Sequence, residues 1–218
     1  MSKPGMKKKP KVKRAGGKLA GSQLPGEKQG GGKQARRQII LDGALELLAT
    51  RGLEGVTHRA IDEIAGLPQG SSTYYFPKKV GLLIAASERL AELLEKDCDD
   101  IQVGFAQTAA RLGMDAAIAY VAQELGAYAD KSRNLFLARM ELTLAAARRD
   151  ELAGVGVQLT TAARRPIEFF LTLISKGRAD VPIETCAGLI DGITLMYATG
   201  QGPKPTTEQV AAIFRAVL

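Results

Sequence analysis

The sequence predicts an all-α protein, and three features of the chain carry that prediction. From Gln34 onward, apolar residues recur at intervals of three and four, which is the spacing of one helix face. Glycine and proline become rarer after that point and fall mainly between the periodic segments. No segment alternates apolar and polar residues as a half-buried strand does. The 218 residues are enough for one hydrophobic core or for two small ones.

The first 33 residues differ from the rest of the chain in composition. They carry ten lysines and arginines against one acid, Glu27, so this segment alone is more positive than the whole chain at +7. The segment is also rich in Gly and Pro and has few large apolar side chains, so burial cannot offset the entropy of ordering it. We therefore predict a disordered basic arm over residues 1–33, which either contacts an anionic partner such as nucleic acid or remains a solvated tail.

Three helices are predicted in residues 34–83. The first spans residues 34–51 and ends at Gly52. Its core face consists of Ile40, Ala44, Leu47 and Leu48. Thr57 is placed to cap a short second helix, and a third short helix occupies residues 69–76 between two prolines.

Further helices are predicted in residues 84–218, including a long amphipathic one that begins before this boundary. The predicted spans are 79–100, 114–128, 132–149, 150–175, 183–199 and 206–218. Gly154 and Pro166 weaken or bend the fourth of these. Thr206 and Gln209 form a capping box for the last.

The first three helices have the layout of a helix-turn-helix unit, in which two short helices joined by a Gly-containing turn are braced by a third. The third helix carries hydroxyl and phenol side chains and no acid over residues 70–76. Such groups donate to and accept from base edges and phosphates, and the methyl group of Thr73 can meet a thymine methyl. This helix is therefore chemically suited to the major groove of DNA.

At these positions the chain resembles the tetracycline-repressor-like (TetR) family of bacterial transcription regulators, over residues 37–83. The residues that carry the resemblance are Ile40, Leu41, Asp42, Gly43, Ala44, Leu47, Gly52, Thr57, Ile61, Ala65, Gly66, Gly70, Tyr75, Phe76, Pro77, Lys78, Lys79 and Leu82. This ordered set is far more specific than a generic helix-turn-helix. It implies an N-terminal helix-turn-helix DNA-binding domain, residues 34–83, followed by a helical-bundle domain for effector binding and dimerisation, residues 84–218.

The resemblance also implies which residues contact DNA. They are Arg37, Thr57, His58, Arg59, Gln69, Gly70, Ser71, Ser72, Thr73, Tyr74, Tyr75 and Lys79. Residues 71–74 would face the bases, Tyr75 would bind a phosphate, and Lys79 would anchor the start of the next helix to the DNA backbone.

Three residues depart from the pattern of the family. Gly43 and Asp62 each stand where the family usually has Ala. Pro68 replaces the Ser or Thr that often caps the recognition helix, so we expect this proline to act as a first-turn residue instead.

The sequence offers little for catalysis or metal binding. His58 is the only histidine, and it has neither a second histidine nor a nucleophile elbow to complete a catalytic set. Cys98 and Cys186 lie far apart and belong to no metal-binding or redox motif, so we expect both to be buried apolar residues. We predict no enzyme activity, no cofactor and no metal site, and a phosphate contact for His58.

The second half of the chain carries aromatic and methionine residues that either fill the core or line a ligand cavity. The resemblance implies such a cavity, for a small apolar or amphipathic effector. The candidate lining residues are Phe105, Tyr120, Phe136, Met140, Phe169, Phe170 and Met196. Glu141, Asp191 and Thr194 are candidates for its polar groups.

The predicted helix over residues 183–199 is apolar on two sides. A helix of this kind suits a core that continues into a second subunit, and the resemblance implies that it forms a dimer interface. The candidate interface residues are Cys186, Leu189, Ile190, Ile193 and Tyr197. The alternative is the central helix of a monomer.

Together these patterns lead to one hypothesis of function and one alternative. The hypothesis is a homodimeric, ligand-responsive transcription regulator, a repressor, which binds double-stranded operator DNA with palindromic sequence. The alternative is a nonspecific or architectural DNA-binding protein that relies on the basic arm and has no effector. We expect a cytoplasmic protein without membrane contact, because no segment reaches the roughly 18 apolar residues of a membrane span and none has the pattern of a signal peptide.

Overall fold

The structure, a computed structural model, describes residues 27–175, 180 and 182–217, and these residues form α-helices and one short 3-10 turn but no strand. The helices are α1 (Glu27–Gly55), α2 (His58–Ile64), α3 (Ser71–Tyr75), α4 (Lys79–Leu112), α5 (Met114–Lys131), α6 (Arg133–Ala146), α7 (Val155–Ile174), α8 (Ile183–Ala198) and α9 (Thr207–Val217). The predicted all-α class is confirmed.

Helix α1 is longer than predicted at both ends. It begins at Glu27, so the last seven residues of the predicted disordered arm, 27–33, are helical and that part of the prediction is wrong. The rest of the arm, residues 1–26, lies outside the described residues. The predicted stop at Gly52 appears as a kink, where φ is 65° and the backbone leaves the helical region.

The two short helices follow α1 as predicted, with one correction. The hydroxyl of Thr57 accepts a hydrogen bond from the Ala60 N–H at 3.2 Å, which confirms the predicted cap of α2. Helix α3 begins at Ser71 and not at Gln69, because Gly70 has a left-handed backbone with φ of 90°. The N-cap position of α3 is therefore a glycine in the left-handed conformation, which has no side chain to cap the helix.

The later helices lie close to their predicted spans, with two differences. Helix α4 continues past residue 100 to Leu112, where Gly113 ends it. The predicted helix over residues 150–175 is a 3-10 turn at Asp150–Leu152 followed by α7, and Gly154 separates the two with φ of 87°. The predicted capping box of α9 is confirmed, since Thr206 and Gln209 exchange both hydrogen bonds, at 2.9 and 3.1 Å.

Two hydrophobic cores hold these helices together. The first is formed by residues of α1, α2, α4, α6 and α7. It contains all four residues predicted for the inner face of α1. The second lies among α5, α7, α8 and α9, where the rings of Phe170 and Phe214 meet at 4.5 Å between centres. Cys98 and Cys186 are both buried, as predicted. Helix α4 takes part in the first core on both sides of residue 83, so it links the two predicted domains.

Candidate nucleic-acid interface and ligand cavity

The start of α3 is held by a buried carboxylate from α2. Asp62 is 1% exposed, and its two oxygens accept hydrogen bonds from the N–H groups of Gly70, at 2.7 Å, and Ser72, at 2.8 Å. Burial raises the pKa of this carboxyl, but the hydrogen bonds from Ser72 and Gly70 outweigh burial and leave the pKa below its ordinary value. Asp62 thus supplies the cap that Pro68 cannot, and the two departures from the family pattern compensate each other.

A second set of hydrogen bonds fixes α3 against α2 and corrects two predicted DNA contacts. Ser72 is fully buried, and its hydroxyl donates to the carbonyl oxygen of His58 at 3.1 Å. This side chain therefore does not face the bases. The imidazole of His58 donates from Nε2 to the carbonyl oxygen of Phe76 at 2.7 Å, so this nitrogen is occupied within the protein and does not bind a phosphate.

The opposite side of α3 faces solvent with polar side chains. Tyr74 is 73% exposed, and Thr73 and Gln69 are also exposed. The half-buried ring of Tyr75 meets the Tyr74 ring edge to face, with centres 5.3 Å apart, which orients the Tyr74 phenol outward. The hydroxyl of Ser71 donates to the Pro68 carbonyl oxygen at 2.5 Å and keeps its acceptor lone pairs. The predicted recognition surface is therefore reduced to one outward face.

Basic side chains border this face. Lys33 and Arg36 are exposed on the first turns of α1, and together with Ser71 and Tyr74 they line a groove between α1 and α3. The sequence analysis missed both residues because it placed the end of a disordered arm at residue 33, so their shared helix face was not recognised. Arg37, which was predicted to contact DNA, instead lies with its guanidinium carbon 5.3 Å from the centre of the Phe76 ring.

The remaining predicted DNA contacts lie at the starts of α2 and α4. Thr57 and Arg59 are exposed at the start of α2, close in sequence to the cap. The ammonium group of Lys79 donates to the Leu53 carbonyl oxygen at 2.9 Å, which satisfies the end of α1. The predicted anchoring of Lys79 to DNA stays a prediction, since the ammonium group has two further donors beside this one.

The Leu53 peptide is held from the second domain as well. Its N–H donates to Oε2 of Glu141, on α6, at 3.1 Å. Glu141 therefore ties α6 to the kinked end of α1, and it lines an open depression of about 380 Å³ at this contact.

A cavity of about 50 Å³, the inner cavity, lies between α4, α5, α6, α7 and α8. Its apolar wall consists of Leu94, Ile101, Leu125, Ala162, Ala163, Pro166, Ile167 and Ile190. Its polar lining consists of Asp97, Tyr128, Arg139, Asp191 and Thr194. Of the candidate polar groups, Asp191 and Thr194 do line it.

None of the seven aromatic and methionine candidates lines the inner cavity, so those predictions are wrong for this space. Phe136 and Phe170 are buried in the protein interior, and Phe105, Tyr120 and Phe169 are partly buried and pack against the second core. Phe105 stacks edge to face on Phe169 at 5.4 Å, Phe170 on Phe214, and Phe136 lies fully buried beneath the Arg139 guanidinium at 5.1 Å. Met140 is half-buried and Met196 is 48% exposed.

An ion pair between the buried Arg139 side chain and the carboxylate of Asp191, which is 40% exposed, forms one side of the inner cavity. The Arg139 residue is 4% exposed, and its two terminal nitrogens donate to the carboxylate of Asp191 at 2.5 and 3.1 Å. Nε of Arg139 has no hydrogen-bond partner among the described residues. Nearby, burial raises the pKa of Tyr128 to about 12, so this phenol is neutral at physiological pH.

A wider depression of about 320 Å³, the outer cleft, adjoins the inner cavity between α4 and α5. Its lining residues are Asp97, Asp100, Ile101, Tyr120, Glu124, Tyr128, Lys131 and Ser132. Three of them, Asp97, Ile101 and Tyr128, also line the inner cavity, so the two spaces meet there. Of the aromatic residues predicted to line a ligand cavity, Tyr120 lines the outer cleft.

From Thr185 onward helix α8 presents an uncharged face to solvent, whereas its first turn carries the exposed Glu184. The exposed residues of this face are Thr185, Gly188, Leu189, Gly192, Leu195 and Met196. Of the predicted interface residues, Leu189 is 46% exposed and Ile193 is half-buried beside this face. Cys186 and Ile190 instead pack inside the protomer, and the hydroxyl of Tyr197 donates to Asp130, so these three predictions are corrected.

Within the described residues, no three His, Cys, Asp or Glu side chains gather as a metal site. No helix of that part of the chain is long and apolar enough to cross a membrane. The polar groups that the structure brings together are therefore the outward face of α3 and the lining of the inner cavity and outer cleft.

Two family models match the chain. One, described as bacterial regulatory proteins of the tetR family, matches residues 40–86, which include α2, α3 and the start of α4. The other, described as a tetracyclin repressor-like C-terminal domain, matches residues 112–218. Together they cover well over half of the chain. The first contains α3, and the second contains most of the residues that line the inner cavity.

Individual relatives agree with these matches. The HTH-type transcriptional repressor KstR of Mycolicibacterium smegmatis is 37% identical over 67 residues, which are 31% of this chain and 33% of KstR, so the chain spans about a third of the length of this curated relative. A TetR-family member from Streptomyces coelicolor A3 shares the fold, with a TM-score of 0.61 and 24% identity over 84% of this chain and 98% of its own. The multidrug binding protein EbrR, solved with proflavin, aligns with a TM-score of 0.52 and 25% identity over 84% and 99% of the two chains. With a recognition helix held in place by Asp62 and family matches over both halves, the chain belongs to the TetR family of transcription regulators and is a DNA-binding protein and not an enzyme.

Proposed function

We propose that this protein is a homodimeric repressor that binds a palindromic operator through α3 and is released by a small apolar or amphipathic effector. The observation that carries the proposal is the division of α3 into two faces. One face is locked to α2 through Asp62 and Ser72, while Thr73 and the 73% exposed Tyr74 are left for an external partner.

The outward face suits both kinds of contact that a DNA reader makes. Thr73, Tyr74 and Gln69 carry donors, acceptors and a methyl group, which are the groups that read base edges in the major groove. Lys33, Arg36 and Arg59 border the face with positive charge and suit the phosphates on either side. Reading and positioning would thus come from different residues.

The exposed face of α8 supports a two-fold dimer. Leu189, Leu195 and Met196 are each more than 40% exposed, and the exposed Gly188 and Gly192 allow a close approach of backbones. An uncharged helix face of this kind marks an interaction surface. A two-fold dimer binds a palindrome when its recognition helices lie about 34 to 36 Å apart.

The effector part of the proposal rests on the route from the inner cavity to the DNA-binding unit. Arg139 lines the cavity, and Glu141, two residues further along α6, holds the Leu53 N–H at the end of α1. An effector that binds one arrangement of α6 better than another would shift the separation of the recognition helices and lower the affinity for DNA. The likeness to EbrR, which was solved with proflavin, supports an organic effector.

The test of operator recognition uses the DNA that flanks the coding region of the protein. Footprinting is expected to show a protected site with two-fold symmetry. Tyr74→Ala and Thr73→Ala are each expected to weaken binding to that site by about 1 to 3 kcal/mol, because they remove base or phosphate contacts and no internal hydrogen bond. Thr161→Ala, which removes an exposed hydroxyl from α7 in the C-terminal bundle and likewise no internal hydrogen bond, is the matched control.

Two outcomes would reject the proposal. Full affinity of the Tyr74→Ala and Thr73→Ala proteins would remove α3 as the reading helix. Equal binding to the flanking DNA and to bulk genomic DNA would favour the nonspecific alternative, because phosphate contacts alone carry no sequence preference.

A further inference from the structure

We propose that the effector is an organic cation with an apolar body, whose positive group lies in the outer cleft between Asp97 and the rings of Tyr120 and Tyr128. This inference rests on the proposed function, since it names the chemical class that the ligand-binding domain takes. The apolar body would enter the inner cavity past Asp97, Ile101 and Tyr128, the residues that line both spaces.

Four carboxylates line the two spaces, and Asp97 is the one that has no ion pair among the described residues. Three of the four carboxylates that line them have a cationic partner within ion-pair distance. These pairs are Glu124 with Lys131 at 2.8 Å, Asp100 with Lys96 at 2.6 Å and Asp191 with Arg139 at 2.5 Å. Among the described ion pairs none includes Asp97, whose one hydrogen bond is from the Ser132 hydroxyl at 3.5 Å.

Asp97 stands at the junction of the two spaces, half-buried, and lines both of them. Burial raises the pKa of this carboxyl, which means that its charged form lacks the stabilisation it would have in water. A cation placed beside it restores that stabilisation. A ligand carboxylate would instead add a second unpaired negative charge at the same point.

Two aromatic rings complete the site. Tyr120 and Tyr128 both line the outer cleft, and the Tyr120 phenol packs against Gly104 on α4, where any larger residue would collide with it. The Tyr120 ring can lie against α4 because Gly104 has no side chain. Tyrosine faces attract ammonium groups, and rings together with a carboxylate form the usual receptor for quaternary ammonium compounds.

The sizes of the two spaces fit this division of the ligand. The outer cleft, at about 320 Å³, accepts a polar head, whereas the inner cavity, at about 50 Å³, is apolar on most of its wall and has to widen for a tail. The buried Nε of Arg139 is the competing feature, because an unpaired donor attracts an acceptor oxygen. A neutral ligand with such an oxygen is therefore the main rival.

Three probes with the same ten-carbon tail separate these classes. They are decyltrimethylammonium, 1-decanol and decanoate, each titrated calorimetrically into the full chain below its aggregation concentration. The cation is expected to bind at least about tenfold more tightly than either of the others, since it alone pairs with Asp97. Tighter binding of the alcohol or the anion, or no binding of the cation, would overturn the inference.

Variants then assign the effect to Asp97. Asp97→Asn is expected to weaken binding of the cation by about tenfold and leave decanoate unchanged, while Asp97→Glu retains most of the affinity. Glu95→Gln, a neighbouring exposed carboxylate on α4 that lines neither space, is the matched control and is expected to bind as the unaltered protein does. Unchanged affinity of Asp97→Asn would overturn the assignment. Operator binding without probe is measured in parallel, so that a failure of DNA recognition is distinguished from a failure of this site.

Discussion

The DNA-binding unit and the C-terminal bundle treat their buried polar groups in opposite ways. In the former, the buried Asp62, Ser72 and the half-buried His58 all find partners within the α2 and α3 region. In the bundle, Nε of Arg139 and the hydroxyl of Thr143 are buried with no hydrogen-bond partner in the described residues. The first arrangement fixes one geometry, and the second leaves groups that another molecule can satisfy.

The same contrast holds for the surfaces. Around α3 the exposed groups are polar and basic, whereas α8 exposes three large apolar residues beyond the Glu184 of its first turn. The structure thus holds α3 in one geometry through internal hydrogen bonds, while the bundle keeps apolar surface and buried donors that are available to other molecules. Four experiments test this difference between the two regions.

Removal of the Asp62 cap should have the largest effect. Asp62→Ala leaves two N–H groups without an acceptor, the buried one of Ser72 and the partly buried one of Gly70. We expect the free energy of unfolding to fall by about 3 kcal/mol, since each hydrogen bond to a charged acceptor contributes about 1.5 to 3 kcal/mol. Chemical denaturation followed by circular dichroism measures this change. Glu63→Ala, at the exposed neighbour on α2, is the control, and an equal loss in both proteins would contradict the role of the cap.

A charge on the α8 face should come next. Leu189→Glu places a carboxylate where the second subunit would cover it, and the dissociation constant of the dimer is expected to rise about 100-fold, or about 2.7 kcal/mol. The fold of the protomer should be unchanged, because Leu189 is 46% exposed. Sedimentation measures the dimer. Val103→Glu, at another exposed apolar residue on α4, should leave the dimer intact, and equal effects would remove α8 as the interface.

Lowering the pH should remove the stabilisation that the Asp62 carboxylate contributes to the folded protein. Because the folded-state pKa of Asp62 lies below its ordinary value, its stabilisation is complete above that ordinary value and is lost as pH falls through the folded-state pKa. The difference in unfolding free energy between the unaltered protein and Asp62→Ala should be constant down to about pH 5 and should narrow below about pH 4. A difference that widens in acid would show that the carboxylate is not stabilised by the fold.

Replacement of the cavity ion pair should have the smallest effect. The double variant Arg139→Met with Asp191→Leu removes the ion pair together with its buried guanidinium and the unsatisfied Nε, and the free energy of unfolding should stay within about 1 kcal/mol of the original. Asp191→Leu alone should cost more, since it leaves the guanidinium buried without its carboxylate. If the double variant loses as much as Asp62→Ala does, the two regions do not differ as described.

Local patterns predicted much of the fold correctly. The inner face of α1, the Thr57 cap and the capping box of Thr206 with Gln209 all depend on residues within a few positions of each other, and all three are confirmed. The start of α1 was misjudged, because Gly-rich composition suggested disorder where Glu27 to Lys33 continue a helix. The operator contacts of Thr73 and Tyr74 remain predictions.

The cavity residues show where local patterns were insufficient. None of the rings chosen from the sequence lines the inner cavity, whose lining combines Asp97 from α4, Arg139 from α6 and Asp191 from α8, which are distant in sequence. Residue type alone does not tell a ring in a core from a ring beside a cavity. Asp62 illustrates the same limit, because its partners lie eight and ten residues away across a turn.

The sequence by itself determined the helical class, the order of the helices and the family, because helical periodicity, caps and a short ordered motif are written within neighbouring residues. Only the tertiary structure decided which side of α3 is free, which carboxylate holds its start and which charged groups meet around the cavity. The physical reason is that burial and pairing depend on distances between separate helices, and those distances follow from the packing of the whole chain.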